Sequence, residues 1–181
     1  MKKHFKIIKE CIGSNDGLCE SCYGTGYMED GWDCQQCNGT GQGPILWSQE
    51  FVFGVIDGIA YLNTTPHQIN FGVEEHDEAI ILPASGFIVN ASINEKHVKI
   101  ESGIEYVKTV FNGDPVVEEK LNKIILRIQN STGLKNIVII GSMIAAQAYP
   151  DKIVVLTPCK GYERVPITQK RMNLDKFTTI V

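Results

Sequence analysis

The sequence predicts an α+β protein, mostly β-rich, with a short strand-helix-strand unit and an N-terminal zinc-stabilised hairpin. Three observations predict it. Residues 19–41 hold two Cys-x-x-Cys pairs set among glycines, residues 46–111 alternate short β-branched or aromatic runs with turn signals, and residues 136–156 place an Ala-rich stretch between two apolar runs. With 181 residues, 43% of them hydrophobic and 21% charged, the chain suffices for one core plus a small appendage. The breaker cluster Gly41-Gln-Gly43-Pro44 sets the expected boundary, giving a zinc segment over 1–44 and a β-rich domain over 45–181.

Met1 to Glu10 is basic, with net charge +3, but lacks the continuous apolar stretch of an export signal. The longest apolar run, 137–149, is broken by Ser142 and Gln147 and falls short of the roughly 20 residues that span a bilayer. A cytoplasmic protein with no membrane partner is expected.

The two repeats are Cys19-Glu-Ser-Cys22-Tyr-Gly24-Thr-Gly26 and Cys34-Gln-Gln-Cys37-Asn-Gly39-Thr-Gly41. Cysteines two residues apart can place both sulfurs on one metal, and two such pairs supply the closed tetrahedral shell of a structural Zn²⁺. The glycines let the backbone take positive φ and turn back around the ion. Four thiolates leave no open position for water, which disfavours catalytic zinc. Paired disulfides suit a secreted chain better than this one. A redox pair is disfavoured because these cysteines sit in Gly-rich turns with acidic neighbours that oppose a thiolate. Cys11 and Cys159 have no partner at ligand spacing and read as small packed hydrophobes.

The repeats resemble the cysteine-rich zinc domain of the DnaJ-type co-chaperones. That family carries four repeats and two zincs, so the resemblance implies one zinc for the two repeats here. It covers residues 19–41 only and includes no His-Pro-Asp signature, so co-chaperone activity does not carry over.

Beyond Pro44, strands are expected over 46–56, 59–62, 67–71, 79–82, 86–93, 98–101 and 104–111, with turns at Asp57-Gly58, Thr65-Pro66, Ser102-Gly103 and Asn112-Gly113-Asp114-Pro115. From Val116 the pattern fits helix or strand. Residues 136–140 predict a buried strand, 141–149 a short helix, and 152–156 a strand ended by Pro158. A basic strand closes the chain.

Asn63-Thr-Thr-Pro-His67-Gln-Ile69, Leu82-Pro-Ala-Ser-Gly86 and Gly141-Ser-Met-Ile-Ala-Ala-Gln-Ala148 together are similar to a group of small phage and bacterial proteins with an Asn-Leu-Thr-Pro-His-x-Ile start and a Leu-Pro-Pro-Ser-Gly turn. The resemblance spans residues 60–174 and implies a phage or mobile-element protein acting in the host cytoplasm. Ala84 replaces that group's second Pro, and Asn90 stands where it usually has Arg.

Candidate ligand-binding residues are Thr65, His67, Ser85, Gly86, Arg164 and Arg171. His67, at a strand entry, suits either turn capping or donation to a ligand. The Ser85-Gly86 turn explains its own glycine, and its amides can also cradle an anion. Arg164 and Arg171 suit either solvated surface or a bidentate phosphate clamp. The Glu74-Glu-His-Asp-Glu78 run reads as a charged hairpin tip rather than a metal loop.

No phosphate-loop, Gly-x-Ser-x-Gly or His-Glu-x-x-His motif is present, so the chain reads as non-enzymatic. Two functions compete. One is a β-rich domain holding a small anionic, nucleotide-like ligand, with the basic segment 151–181 (net +3) as its surface. The other is an adaptor whose acidic zinc hairpin, with Tyr23, Tyr27, Met28 and Trp32, docks on a protein partner. Residues 11–44 carry net charge −5 without a Lys or Arg, which disfavours nucleic acid. A homo-oligomer is compatible with either function.

Overall fold

The computed structural model describes residues 4–13, 25, 27–35, 39–40, 48–72 and 79–178. Within them the chain forms strands β1 (Lys6–Gly13), β2 (Ser48–Ile56), β3 (Ile59–Asn63), β4 (Ile69–Phe71), β5 (Ile80–Leu82), β6 (Ser92–Glu101) and β7 (Ile104–Asn112). Helix α1 (Pro115–Thr132), strand β8 (Ile137–Ile140), helix α2 (Met143–Ala148), and strands β9 (Ile153–Pro158) and β10 (Arg171–Thr178) follow. Two compact units result, one of Cys11–Glu50 and one of Met1–Glu10 with Phe51–Val181. No described helix is long and apolar enough to cross a membrane.

Turn chemistry sets the hairpins. Asp57 and Gly58 take φ of 50° and 76°, and Ser102 and Gly103 take 53° and 76°. Two consecutive left-handed residues match the twist of antiparallel strands, so β2 turns directly into β3 and β6 into β7. The β6–β7 ribbon is a two-stranded sheet of its own. The other eight strands form one mixed parallel and antiparallel sheet in the order β1-β2-β3-β8-β9-β10-β4-β5.

That sheet nearly closes into a barrel. Past the edge strand β5, the Ser85 amide donates to Asn63 O (2.9 Å) and the Ser85 carbonyl accepts from Val52 N (2.8 Å), tying this end of the sheet back to β3 and β2. The expected strand over 86–93 does not form here, because the Val89 amide donates to Thr64 O and Ser85 Oγ accepts from Phe87 N instead of building a ladder. Phe87 and Val89 are nevertheless buried alternately, which is why the segment reads as a strand.

The ambiguous segment after Val116 is α1. Asp114 caps it by accepting from Val116 N at 2.8 Å, Pro115 supplies a preset φ at its first turn, and Gly133 (φ 72°) ends it with its amide on Gln129 O. Leu121, Ile124 and Ile128 form its buried stripe.

Between β8 and β9, α2 completes the expected strand-helix-strand unit. β3, β8 and β9 run parallel, with Asn63 beside Ile140 and Ile140 beside Val154. Phe5, Tyr61, Phe71, Leu82, Ile140 and Leu156 meet in the core, where Phe5 lies edge-on to Tyr61 at 5.5 Å.

Within Cys11–Glu50, Tyr27 and Asp33 bridge across a tight turn in which Met28 N donates to Trp32 O (2.8 Å) and Trp32 N to Asp30 Oδ1 (3.2 Å). Cys11, expected to be packed, is exposed: strand alternation buries its neighbour Ile12 instead.

Candidate functional site

The parallel strands β3 and β8 end side by side, and the segments that leave them form one rim of a cavity of about 300 Å³. Residues 65–70 and 140–142 line it together with Val155 and Leu156 of β9 and with Ile167, Lys170 and Met172. Cavities at the carboxyl ends of parallel strands and in barrel mouths are recurrent ligand sites, because strand termini converge there while the sheet holds them rigidly.

Asn63, 1% exposed, organises the rim. Its Nδ2 donates to His67 O (2.7 Å) and Pro83 O (3.2 Å), and its Oδ1 accepts from Thr65 N (3.0 Å) and Thr65 Oγ1 (2.7 Å). All four positions of the amide are thereby used, which fixes the loop from Thr65 to His67 in one conformation. Thr64 adds a second pin, since its Oγ1 and its amide both donate to Ile140 O at 2.8 Å. Gly141 is needed where the strands converge: a Cβ there would lie 2.6 Å from Ile153 Cγ2 and 3.3 Å from Thr64 Oγ1.

The cavity brings together two of the six sequence-derived ligand residues, Thr65 and His67. The Thr65 hydroxyl proton is shared between Asn63 Oδ1 (2.7 Å) and His67 O (3.0 Å), so toward the cavity its oxygen can accept but not donate. His67 is exposed; its carbonyl is fixed by Asn63, and its imidazole has no partner among the described residues.

The other four lie elsewhere. Ser85 is 1% exposed, and its Oγ, amide and carbonyl bond to Phe87, Asn63 and Val52. Gly86 follows at φ 82°. Arg164 is exposed in the loop before β10. The Arg171 guanidinium lies 5.4 Å from the centre of the Tyr162 ring.

Sequence reasoning passed over Asn63, Ser142 and Lys170. Lys170, just before β10, and Met172 within it line the cavity, whereas Arg171 between them does not. Lys170 is half-buried and has no carboxylate partner among the described residues. The signal was present as a basic pair at the start of a strand, where only one member can face inward. Ser142 caps α2, its Oγ accepting from Ala145 N at 3.1 Å. Asn63 stood at the head of the Thr-Pro-His motif, and its use as a clamp was the unread part.

Of the four cysteines expected to bind zinc, Cys19, Cys22 and Cys37 lie outside the described residues, as does the Glu74–Glu78 run. Cys34 is 1% exposed. Gly39, in the turn after it, takes φ 75° and donates its amide to Cys34 O at 3.1 Å. Among the described residues no group of three or more His, Cys, Asp or Glu side chains gathers at metal-binding distance. Comparison with known proteins finds no matching family model, no matching curated protein and no matching solved structure.

Proposed function

We propose that this is a non-enzymatic, zinc-containing binding protein of phage or mobile-element type, whose barrel-mouth cavity takes a small anionic, nucleotide-like ligand and thereby sequesters a host signal. The observation that carries the reading is the pairing of apolar walls with two unpartnered basic side chains, His67 and Lys170, in one cavity of about 300 Å³. A planar base gains from the walls of Ile69, Ile140, Leu156 and Met172, while a phosphate is matched by the Lys170 ammonium and the His67 ring. Both hydroxyls at the cavity, Thr65 and Ser142, already serve the backbone or Asn63, and neither is poised as a nucleophile. That supports binding without turnover.

One structural Zn²⁺ on Cys19, Cys22, Cys34 and Cys37 belongs to the same proposal. The buried Cys34 and the positive φ of Gly39 support a metal-knuckle turn. Elemental analysis of reduced protein is expected to return about one zinc per chain, and Cys34→Ser to lower it.

A thermal-shift screen of mono-, di- and cyclic nucleotides tests the ligand, with binding raising the melting temperature by mass action. A melting temperature unmoved by every nucleotide would remove the reading.

A second reading is favoured by one side chain. Trp32 is 77% exposed at the tip of the acidic turn, flanked by Glu29, Asp30 and Asp33, with Tyr27 at 57% and Met28 at 42%. Exposed Trp and Tyr are common interface anchors, so this tip suits an adaptor that docks on a basic protein partner. A pull-down in which Trp32→Ala and deletion of residues 11–43 leave the partner set unchanged would dispose of it.

A further inference from the structure

Two amide side chains that line the cavity, Gln68 and Asn70, are joined in series and end on a backbone carbonyl. Asn70 Nδ2 donates to Thr168 O (3.3 Å), and Gln68 Nε2 donates to Asn70 Oδ1 (3.2 Å). The carbonyl fixes the direction of the whole series. It can only accept, so Asn70 turns its NH₂ toward Thr168 and its oxygen toward Gln68. Gln68 must then answer with its own NH₂. The two residues flank Ile69, the first of β4, and stand on the same side of the extended chain, which lets Asn70 position Gln68. What is left over on Gln68 carries the chemistry: Oε1 and one N–H have no partner among the described residues.

Thr65, three residues earlier on the same rim, is restricted in the same sense. Its proton is held by Asn63 Oδ1 and His67 O, so its oxygen can only accept from a ligand. The cavity therefore offers two acceptors, Thr65 Oγ1 and Gln68 Oε1, besides the His67 ring and the Lys170 ammonium. A phosphate satisfies the latter pair and has no protons for the former. The two acceptors call for a group that brings two protons on one atom.

We propose, resting on the nucleotide reading above, that the ligand is an adenine mononucleotide whose exocyclic amino group is held by Gln68 Oε1 and Thr65 Oγ1. The amino group has one proton for each acceptor. In adenine it stands between two unprotonated ring nitrogens, so the remaining Gln68 N–H finds an acceptor on either edge of the base. Cytosine offers such a nitrogen on one side only, and the amino group of guanine has a ring N–H on one side. Uracil and hypoxanthine set a carbonyl oxygen against the two acceptors. Volume limits the rest of the ligand. At about 300 Å³ the cavity lies at the small end of the ~300–1,000 Å³ range of ligand sites, which gives room for one base and not two. Gln68 is exposed, so water competes for its oxygen and the preference is about tenfold rather than the far larger factor of an enclosed site.

Calorimetric titration of the full chain with adenosine monophosphate and inosine monophosphate tests this, because the two differ only at the edge that carries the amino group. Adenosine monophosphate should bind about tenfold more tightly, with cytidine and guanosine monophosphates weaker than it. Gln68→Leu, at an exposed position, should bring adenosine monophosphate to within about twofold of inosine monophosphate and leave the latter nearly unchanged, with near-ultraviolet circular dichroism unaltered. A merely structural role for Gln68 would weaken both ligands alike. Equal binding of the two by the native chain overturns the proposal while leaving the nucleotide reading in place. So does a preference that survives Gln68→Leu in full, or tighter binding of cytidine or guanosine monophosphate. Failure of every nucleotide to bind removes the nucleotide reading and this proposal together.

Discussion

Strand β3 and strand β6 are written in the same alphabet and sit in opposite solvents. In β3 every residue from Ala60 to Asn63 is buried, whereas in β6 all ten residues are exposed, although both carry β-branched and apolar side chains. The difference lies in neighbours. β3 is flanked by β2 and β8, and its side chains meet Phe5 and Ile140 in the core, whereas β6 pairs only with β7. Residue type decides what a strand prefers, and topology decides whether it obtains it.

Paired truncations break this comparison most directly. Phe71, fully buried against Phe5, should cost about 3–5 kcal/mol on substitution by Ala, since it loses transfer energy and leaves a cavity. Ile100→Ala, at 68% exposure, should change the stability of dilute protein by less than about 0.5 kcal/mol. Urea denaturation of both variants measures the contrast, and comparable losses would mean that the ribbon is packed in solution.

The next largest effect sharpens it at the polar end of β3. Asn63→Ala removes a side chain that serves two carbonyls, one amide and one hydroxyl in a buried setting, and should cost about 2–4 kcal/mol. Asn63→Asp keeps the acceptor and loses the donor, turning a carboxylate onto the His67 and Pro83 carbonyls. It should be as harmful at neutral pH and recover partly in acid, where the carboxyl regains a proton to donate. Equilibrium unfolding against pH checks both. Equal stability of Asn63→Asp and the native chain would show that the clamp is not needed.

The strands either side of Asp57-Gly58 and Ser102-Gly103 were legible because turn residues and alternation agree there. Helix α1 was not. Its early apolar positions also fit a strand, and the deciding signals, Asp114-Pro115 before it and Gly133 after it, lie at its ends. The segment 86–93 misled for a different reason. Burial of Phe87 and Val89 produces the strand pattern, but long-range bonds to Thr64 and Asn63 absorb the backbone, and no local pattern encodes those. Phe5 joined the core unannounced, because a basic terminal decamer gives no sign of a barrel needing one more aromatic ring. At the cavity, Thr65 and His67 were readable from their motif. Lys170 required knowing which face of β10 turns inward, which depends on the register Arg171–Asn70.

That register supplies a smaller test. Under the ligand proposal, Lys170→Ala should weaken nucleotide binding about tenfold, the loss of one charge-assisted contact, while Arg171→Ala should leave it within about twofold. Calorimetric titration of both variants reads the split. Equal losses would mean that the ligand meets both faces of the strand, and no loss from Lys170→Ala would move the anion site elsewhere.

The smallest effect concerns Tyr61, at the centre of β3. Burial first, then the negative charges of Asp57 and Asp175, raise its phenol above the ordinary value of 10.0. Because the folded state holds this proton more tightly, its contribution to stability is complete below pH 10 and is lost as pH climbs through the raised value. Tyr61→Phe should therefore soften the alkaline loss of stability while leaving neutral stability little changed. Absorbance titration should show one of the six tyrosines ionising after the rest in the native chain, and that late step should vanish in Tyr61→Phe. Tyr106, 43% exposed on the ribbon, is the internal contrast: its removal should leave the late step in place.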